Sequence, residues 1–516
     1  MPTWWRYSRT RDPMNGRGRP HCVEVAALTI VILAGVGLRL LYVHHEVIVF
    51  PDEGSYLELA ANLRDGRGFV TDWKWYHWNR AITHPEDTRQ PGLPMLIAGV
   101  EKALPRGHDR AAGQAVAFTA GIAVIVAAWA YGRALFGIGA GLVAALLVAI
   151  EPRMAEFSSQ AMTEMPAALG VLGVALLLQG RRAPSPVRLV AAGSLLSLTY
   201  LARANASWLL VALLAALAFG PPPQRRWHWA LPFVAFLVVA SPWLIRNQLE
   251  FGQPLHYLPS TNYFVDGPSD TLVLRSSPPS LDEYRRTHTL RQVAERVRRG
   301  LVVGGRQWVG QERWPLFALA VVGVVLASRR PLVFALVSVI VGFAGVLWLT
   351  VMQPIDRFSY PFLPLVAVLA AGGCATLATR VRYGGLTAVV AVVACCAILG
   401  AQAGRDLGRR EDLVYESKLR AMTDAAARIS RGTVLAERYG FPWLGNREWQ
   451  YHRPTILLSL AIPLDPALAW ARQLGARYLI VPDDFRGAPG EQHAVEALPL
   501  AARGPGWQLH RLDTVP

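Results

Sequence analysis

Long uninterrupted apolar runs confine this chain to a membrane fold. A helix crossing ~30 Å of hydrocarbon needs about 20 mostly apolar residues, because no water is present there to satisfy its backbone. About eleven such runs are legible, near residues 23–43, 111–132, 138–152, 165–179, 188–203, 206–220, 230–245, 314–327, 332–351, 361–379 and 386–402. The chain is 53% hydrophobic and 17% charged, whereas a soluble domain is about 25% charged. A net charge of +16 would suggest nucleic acid in a soluble protein. Here the arginines cluster between apolar runs, where bilayer orientation accounts for them and no nucleic-acid partner is implied. Cys22, Cys374, Cys395 and Cys396 form no disulfide or zinc framework. The run from Val23 to Val43, preceded by five arginines, is too long for a signal h-region.

Arginine placement orients the spans. Taking the basic residues 1–22 as cytoplasmic, every second connection should also be basic. Arg133, then Arg181, Arg182 and Arg188, then Arg225 and Arg226, Arg329 and Arg330, and Arg380 and Arg382 satisfy this. The alternation requires that Gly92–Leu104 not cross, so it is expected as a re-entrant or interfacial helix. The resulting expectation is a multi-pass plasma (inner) membrane protein. Its core covers residues 23–402, with outer loops at 44–110, 151–164 and 246–313, and residues 403–516 form a separate extracytoplasmic α/β domain. In that domain Thr433–Glu437, Arg477–Pro482 and Trp507–Leu512 read as strands and Pro466–Leu474 as a helix. The loop 246–313 carries ten arginines, including the basic amphipathic stretch Glu283–Arg299, and long loops are largely exempt from the charge rule.

The candidate chemistry lies on the outer side. In the first loop, Pro51-Asp52-Glu53-Gly54-Ser55-Tyr56 opens a short helix that Gly66 stops, expected at the membrane surface, with Asp52 and Tyr56 on one face. The bland reading of Asp52 and Glu53 is capping of that helix. Arg89, in Arg-Gln-Pro-Gly-Leu, precedes another helix start, and snorkelling is its bland alternative. Glu151 and Glu164 place carboxylates in the short second loop, where Glu164 also opens a helix. Arg246 after Pro-Trp and Arg357 before Tyr-Pro sit at span ends, where an arginine is commonly an interface anchor. The threading nevertheless brings Asp52, Glu53, Glu164, Arg89, Arg246 and Arg357 to one surface, a set suited to an anionic headgroup and an acceptor hydroxyl.

The order of PDEGSYLELAANLRDGRGF, RQPGLPMLIAGV, EPRMAEFSSQAMTEMP, SPWLIRNQLEFG and RFSYPFLP resembles the GT-C glycosyltransferases that use polyprenyl-phosphate sugars. Within them it is most similar to the protein O-mannosyltransferase and lipid A aminoarabinose transferase group, over roughly residues 25–380. The resemblance implies a polytopic helical enzyme that moves a sugar from a polyprenyl-phosphate donor to a cell-envelope glycan, lipid or protein. It implies Asp52 as the catalytic acid residue of the family with Glu53 beside it, Tyr56 near the donor phosphate, Glu164 in the second acidic loop, and Arg89, Arg246 and Arg357 at basic positions. Here Arg-Gln-Pro-Gly replaces the Lys/Arg-Pro-Pro pattern of relatives. A sugar on a lipid phosphate already has a good leaving group, so cations on the phosphate and one base on the acceptor suffice, which points to inversion. No His-Glu spacing demands a divalent metal; one near Glu53 and Glu164 stays open, and no other cofactor is implied. The alternative function is a lipid-linked-sugar transporter or flippase, for which Arg39 and Arg203 would be the intramembrane charges.

Overall fold

The computed structural model describes residues 19–45, 51–74, 81–105, 108–179, 183–219, 225–267, 275, 277–310, 313–326, 333–349, 356–408, 429, 432–438, 454–458, 462–483, 490–504 and 507–512. The arginines at 6, 9, 11, 17, 181, 182, 329 and 330, used above for orientation, lie outside them.

Helices dominate the first 408 residues. They are α1 (Arg19–His45), α2 (Pro51–Arg64), α3 (Gly92–Glu101), α4 (Asp109–Phe136), α5 (Ile138–Ile150), α6 (Pro152–Ser159), α7 (Glu164–Leu178), α8 (Pro186–Ala202), α9 (Leu209–Phe219) and α10 (Leu231–Phe251). Further helices cover Leu290–Gly310, Trp314–Leu326, Val333–Leu349, Leu363–Arg380 and Gly384–Gly408. Five described helices are long and apolar enough to cross a membrane: Cys22–His45, Asp109–Phe136, Trp227–Phe251, Arg357–Arg380 and Gly384–Gly408. A sixth appears if α5 and α6, bent by 60° at Glu151-Pro152, make one broken span. The expected count of eleven is therefore not reached on length and composition, because the other runs form helices of 10–17 residues. Gly92–Glu101, expected not to cross, is one of these short helices.

Burial sorts the bundle. Leu363 through Cys374 are buried without interruption, which puts that helix at the centre. α1 and Gly384–Gly408 turn Val23, Ile30, Leu33, Leu386 and Val393 outward, the pattern of helices whose solvent is lipid. Gly121 of α4 has no room for a Cβ, which would meet Ser158 Oγ at 2.1 Å and Arg39 Nε at 3.1 Å. Glycine there lets Arg39, fully buried, donate to Ser158 Oγ and to the carbonyls of Val148 and Ala149. A cation thus satisfies the open carbonyl end of α5 at its break with α6. This also accounts for Arg39 without a transport role.

α2 departs from its expected place. Pro51 at the first position and Asp52 and Glu53 in the first turn start it as the sequence indicates, and Gly66 with φ +76° ends the turn beyond it. It does not lie open at a surface, however, since Leu57, Leu59, Ala60, Ala61, Glu53, Glu58 and Asn62 are all buried. Its polar residues find partners inside. Glu58 accepts from Thr71 Oγ1 at 3.2 Å and Asp72 N at 2.8 Å, and Asn62 Nδ2 donates to Val70 O at 2.8 Å.

The C-terminal residues form an α/β unit, with strands at Val434–Arg438 and Trp507–Arg511 close to where alternation put them. In the first loop β1 (Val70–Thr71) and β3 (His84–Pro85) pair antiparallel, and a six-stranded sheet comprises β2 (Trp73–Lys74), β4 (Val434–Arg438), β5 (Thr455–Leu458), β6 (Ala476–Pro482), β7 (Leu500–Gly504) and β8 (Trp507–Arg511), in the order β2-β5-β4-β6-β8-β7. The four strands from β2 to β6 pair in parallel, and β6, β8 and β7 pair antiparallel. β2 comes from the first loop, and Ile82 of that loop joins the unit's core with Ile456, Leu468 and Leu479. The unit expected to be separate is thus stitched to the first loop, and with it to the segment that carries Asp52.

Candidate active site

Three segments far apart in sequence meet at Asp52. From the first turn of α2, its Oδ1 accepts from Arg89 Nη2, and its Oδ2 pairs with Arg357 Nη2. Arg89 comes from the strand-to-helix approach before α3, and Arg357 from a 3-10 turn, Asp356–Phe362, that precedes the central helix. Three residues after Arg89, Gly92 packs α3 closely on the end of α8, where a Cβ would lie 2.6 Å from the Leu201 carbonyl. Burial pushes the Asp52 carboxyl up, but Arg357 and Arg89, joined by Arg203, hold it well below the usual carboxylate range.

Tyr56, one turn along α2, carries the Arg89 guanidinium 5.7 Å from its ring centroid. Its phenol is pushed up to about 12, by burial first, and so stays a hydrogen-bond donor. Glu164 lies beside the cluster, accepting from Arg203 Nη1 at 3.0 Å. Arg203 caps the end of α8, donates also to Thr163 Oγ1 at 2.6 Å and sits 5.2 Å from the ring of Phe358. Among the described residues, the buried Nε and Nη2 of Arg203 and Nε of Arg89 have no hydrogen-bond partner. Unmet guanidinium donors next to a carboxylate already shared by two arginines make a place for a further anion.

Two expected members stand differently. Glu53 is fully buried and points away from the cluster, accepting from Ala161 N at 3.1 Å and from Arg110 Nε at 3.3 Å, so it fixes the α6–α7 loop to α2 and α4. Arg246 does not join Asp52. Its guanidinium donates to Glu86 O at 2.8 Å and Phe69 O at 3.3 Å and lies 4.8 Å from Trp243 and 5.0 Å from Phe251, clasping the first loop from α10. Sequence reasoning missed Arg203 as a site residue, because an arginine at the end of an apolar run looks like an anchor. It also missed Tyr257, whose phenol lies close enough to Arg89, Arg203 and Asp52 to feel their charge and is raised chiefly by burial.

The possibility of a metal between Glu53 and Glu164 gains nothing from this arrangement. Each carboxylate faces a different arginine, and among the described residues no three His, Cys, Asp or Glu side chains gather to hold an ion.

Residues 88–245 match the dolichyl-phosphate-mannose-protein mannosyltransferase family. No curated protein matches the chain by sequence. Among solved structures, the chain is similar to the oligosaccharyltransferase AglB of Archaeoglobus fulgidus in complex with an inhibitory peptide and a dolichol-phosphate. The TM-score is 0.60 at 14% identity, over 90% of this chain and 70% of that one. It is similar to ArnT of Cupriavidus metallidurans bound to undecaprenyl phosphate, with TM-score 0.57 and 14% identity over 96% and 98% of the two chains. It is similar also to the arabinofuranosyltransferase AftD of Mycobacteria, with TM-score 0.56 and 14% identity over 94% and 40%. The chain has the GT-C fold that these membrane glycosyltransferases share.

Proposed function

We propose that this protein is a membrane glycosyltransferase that moves a sugar from a polyprenyl-phosphate donor to an acceptor hydroxyl. The observation that carries the reading is Asp52 held between Arg89 and Arg357, with the unmet donors of Arg203 alongside. The GT-C fold and the mannosyltransferase match support it. One relative holds a dolichol-phosphate and another an undecaprenyl phosphate, which is the chemistry that free guanidinium groups suit.

In this reading, the donor phosphate takes over Arg89, Arg357 and Arg203, with Tyr56 donating a hydrogen bond to it. Losing its arginine partners to the phosphate raises the Asp52 carboxylate toward ordinary basicity. It then accepts the acceptor's hydroxyl proton while the acceptor oxygen bonds to the anomeric carbon. The bond from that carbon to the phosphate oxygen breaks, and polyprenyl phosphate leaves with both electrons. One displacement inverts the anomeric centre. The proton transfer is worth about 10²–10⁴-fold, and the preorganised cations supply the larger electrostatic part. Glu164 acts through Arg203, and Glu53 acts by holding the α6–α7 loop.

The threading completes the proposal. Glu164–Leu178, Pro186–Ala202, Ala204–Phe219, Trp314–Val325 and Val333–Gly342 cross the bilayer as short or extended spans, bringing the count to eleven. The Asp52 cluster and the α/β unit then face outward from the plasma membrane, where a cell-envelope glycan, lipid or protein would be the acceptor. The test is a panel of polyprenyl-phosphate sugars presented to the purified protein in liposomes with envelope acceptors. Release of polyprenyl phosphate together with sugar transfer is expected for one donor. Passage of an intact lipid-linked sugar across the bilayer, with no cleavage of any donor, would instead establish the transporter alternative.

A further inference from the structure

The basic stretch of the long loop is not used by the chemistry at Asp52. It folds as two helices broken at His288: Leu281–Thr287, capped by Ser280 accepting from Glu283 N at 3.2 Å, and Leu290–Gly310. Along the second helix, Leu290, Val297 and Leu301 fall seven and four residues apart, which puts them on one stripe. Arg299 and Arg306 lie on the opposite side, and Arg291 and Arg298 stand about a quarter turn from the stripe, between the two.

An amphipathic helix in a folded protein normally buries its apolar stripe. This helix does not: Leu290 is 89% exposed and Leu301 51%. It docks by its flank. Arg296 is buried, its guanidinium 5.5 Å from the Tyr284 ring and donating to Tyr284 Oη at 3.2 Å, and Gly300 is buried beside it. The helix also touches Val333–Leu349 and the 3-10 turn that carries Arg357. A helix fixed by its side leaves both of its other faces available, one oily and one cationic. Arg298 and Arg299 keep side chains 67% and 62% exposed, and Glu295, at 2.7 Å from Arg298, offsets only part of the charge.

We infer that Leu290–Gly310 lies in the plane of the bilayer interface next to the active-site turn. Leu290, Val297 and Leu301 enter the acyl chains, and Arg291, Arg298, Arg299 and Arg306 bind the phosphates of anionic phospholipids. Water on both faces would leave the exposed leucines without reason, and a soluble protein partner would leave a row of guanidinium groups at a membrane edge unmatched. A leaflet matches both faces at once.

Two measurements test this, and neither needs sugar transfer, so the inference and the enzyme reading can fail separately. In nanodiscs, with Cys22, Cys374, Cys395 and Cys396 replaced, a nitroxide is attached at Leu301→Cys or at Arg299→Cys. The Leu301 label should be relaxed by oxygen and shielded from a water-soluble nickel chelate, and the Arg299 label should show the reverse. A Leu301 label open to nickel, or shielded from both reagents by a protein surface, overturns the placement. In the second, the protein with its native cysteines is reconstituted with spin-labelled phosphatidylglycerol or phosphatidylcholine. Wild type should restrict phosphatidylglycerol in preference, and that preference should fall at least twofold in the R291Q/R298Q/R299Q/R306Q variant. Equal restriction of both lipids by wild type, or an undiminished preference in the variant, overturns the headgroup contact.

Discussion

Two of the carboxylate and guanidinium sets in this bundle, one at Glu151 and one at Asp52, differ in their access to solvent. Glu151 accepts from Arg313 Nε at 2.9 Å with both side chains only 2% exposed. Glu151 also caps α6 through Met154 N, and Arg313 lies 5.1 Å from the Tyr360 ring. Tyr360 in turn packs 5.3 Å from Phe157 of α6 and belongs to the turn that carries Arg357. Asp52, Arg89 and Arg357 use the same groups but keep 22%, 21% and 35% of their side chains exposed. A sealed pair has no route to a new partner and serves as a strut. An open one can exchange a carboxylate for an arriving phosphate, so one chemistry gives shape in one place and a site in the other.

The largest expected effect is on stability, and it falls on the strut. Arg313→Ala strands the Glu151 charge in the core and should cost about 3–5 kcal/mol, read as a large drop in thermal midpoint in detergent. Arg89→Ala should cost a fraction of that, and equal losses would break the contrast. On ligand affinity the order reverses. Arg89→Ala and Arg357→Ala each remove a charged hydrogen bond of about 1.5–3 kcal/mol, so polyprenyl phosphate should bind roughly 10- to 100-fold more weakly, as measured by titration in nanodiscs. Arg246→Lys, which alters the clasp on the first loop, should leave that affinity close to wild type.

A third expectation concerns pH. In the free protein Arg357 and Arg89 keep Asp52 ionised far into acid; with donor bound, the phosphate holds those arginines and the carboxyl rises. The acid limb of kcat should therefore lie at higher pH than the acid limb of kcat/KM. Coincident limbs would mean that the arginines never leave Asp52.

A fourth expectation concerns Glu58, whose carboxyl is raised to about 8, chiefly by burial. A raised carboxyl contributes stability in full below its unfolded value of about 4.3, and that contribution is lost as pH rises toward 8. Glu58→Gln cannot ionise, so its thermal midpoint should gain on wild type as pH rises from about 4 to about 8, and the gap should hold level above that. A constant offset between the two would show that Glu58 is not buried as described.

The sequence made some of this legible. Pro51, Asp52 and Glu53 announced the start of α2, the apolar runs marked the long helices, and alternation located β4, β6 and β8. Other features lacked a local signal. α2 carries enough polar residues to look like a surface helix, and only Thr71, Asp72, Arg110 and Ala161, distant in sequence, show that they are satisfied inside. β2 is two residues long and pairs with a strand nearly four hundred positions on. Arg203, Arg246 and Arg313 all end or begin apolar runs, and sequence alone does not separate a ligand, a clasp and a strut when each looks like an anchor.

Asp52→Asn tests the central claim most directly. Single-turnover transfer from the polyprenyl-phosphate sugar that wild type accepts should fall by about 10²–10⁴-fold, while the variant still folds and still binds polyprenyl phosphate. Transfer at the wild-type rate would contradict the assignment of Asp52 as the group that takes the acceptor's proton.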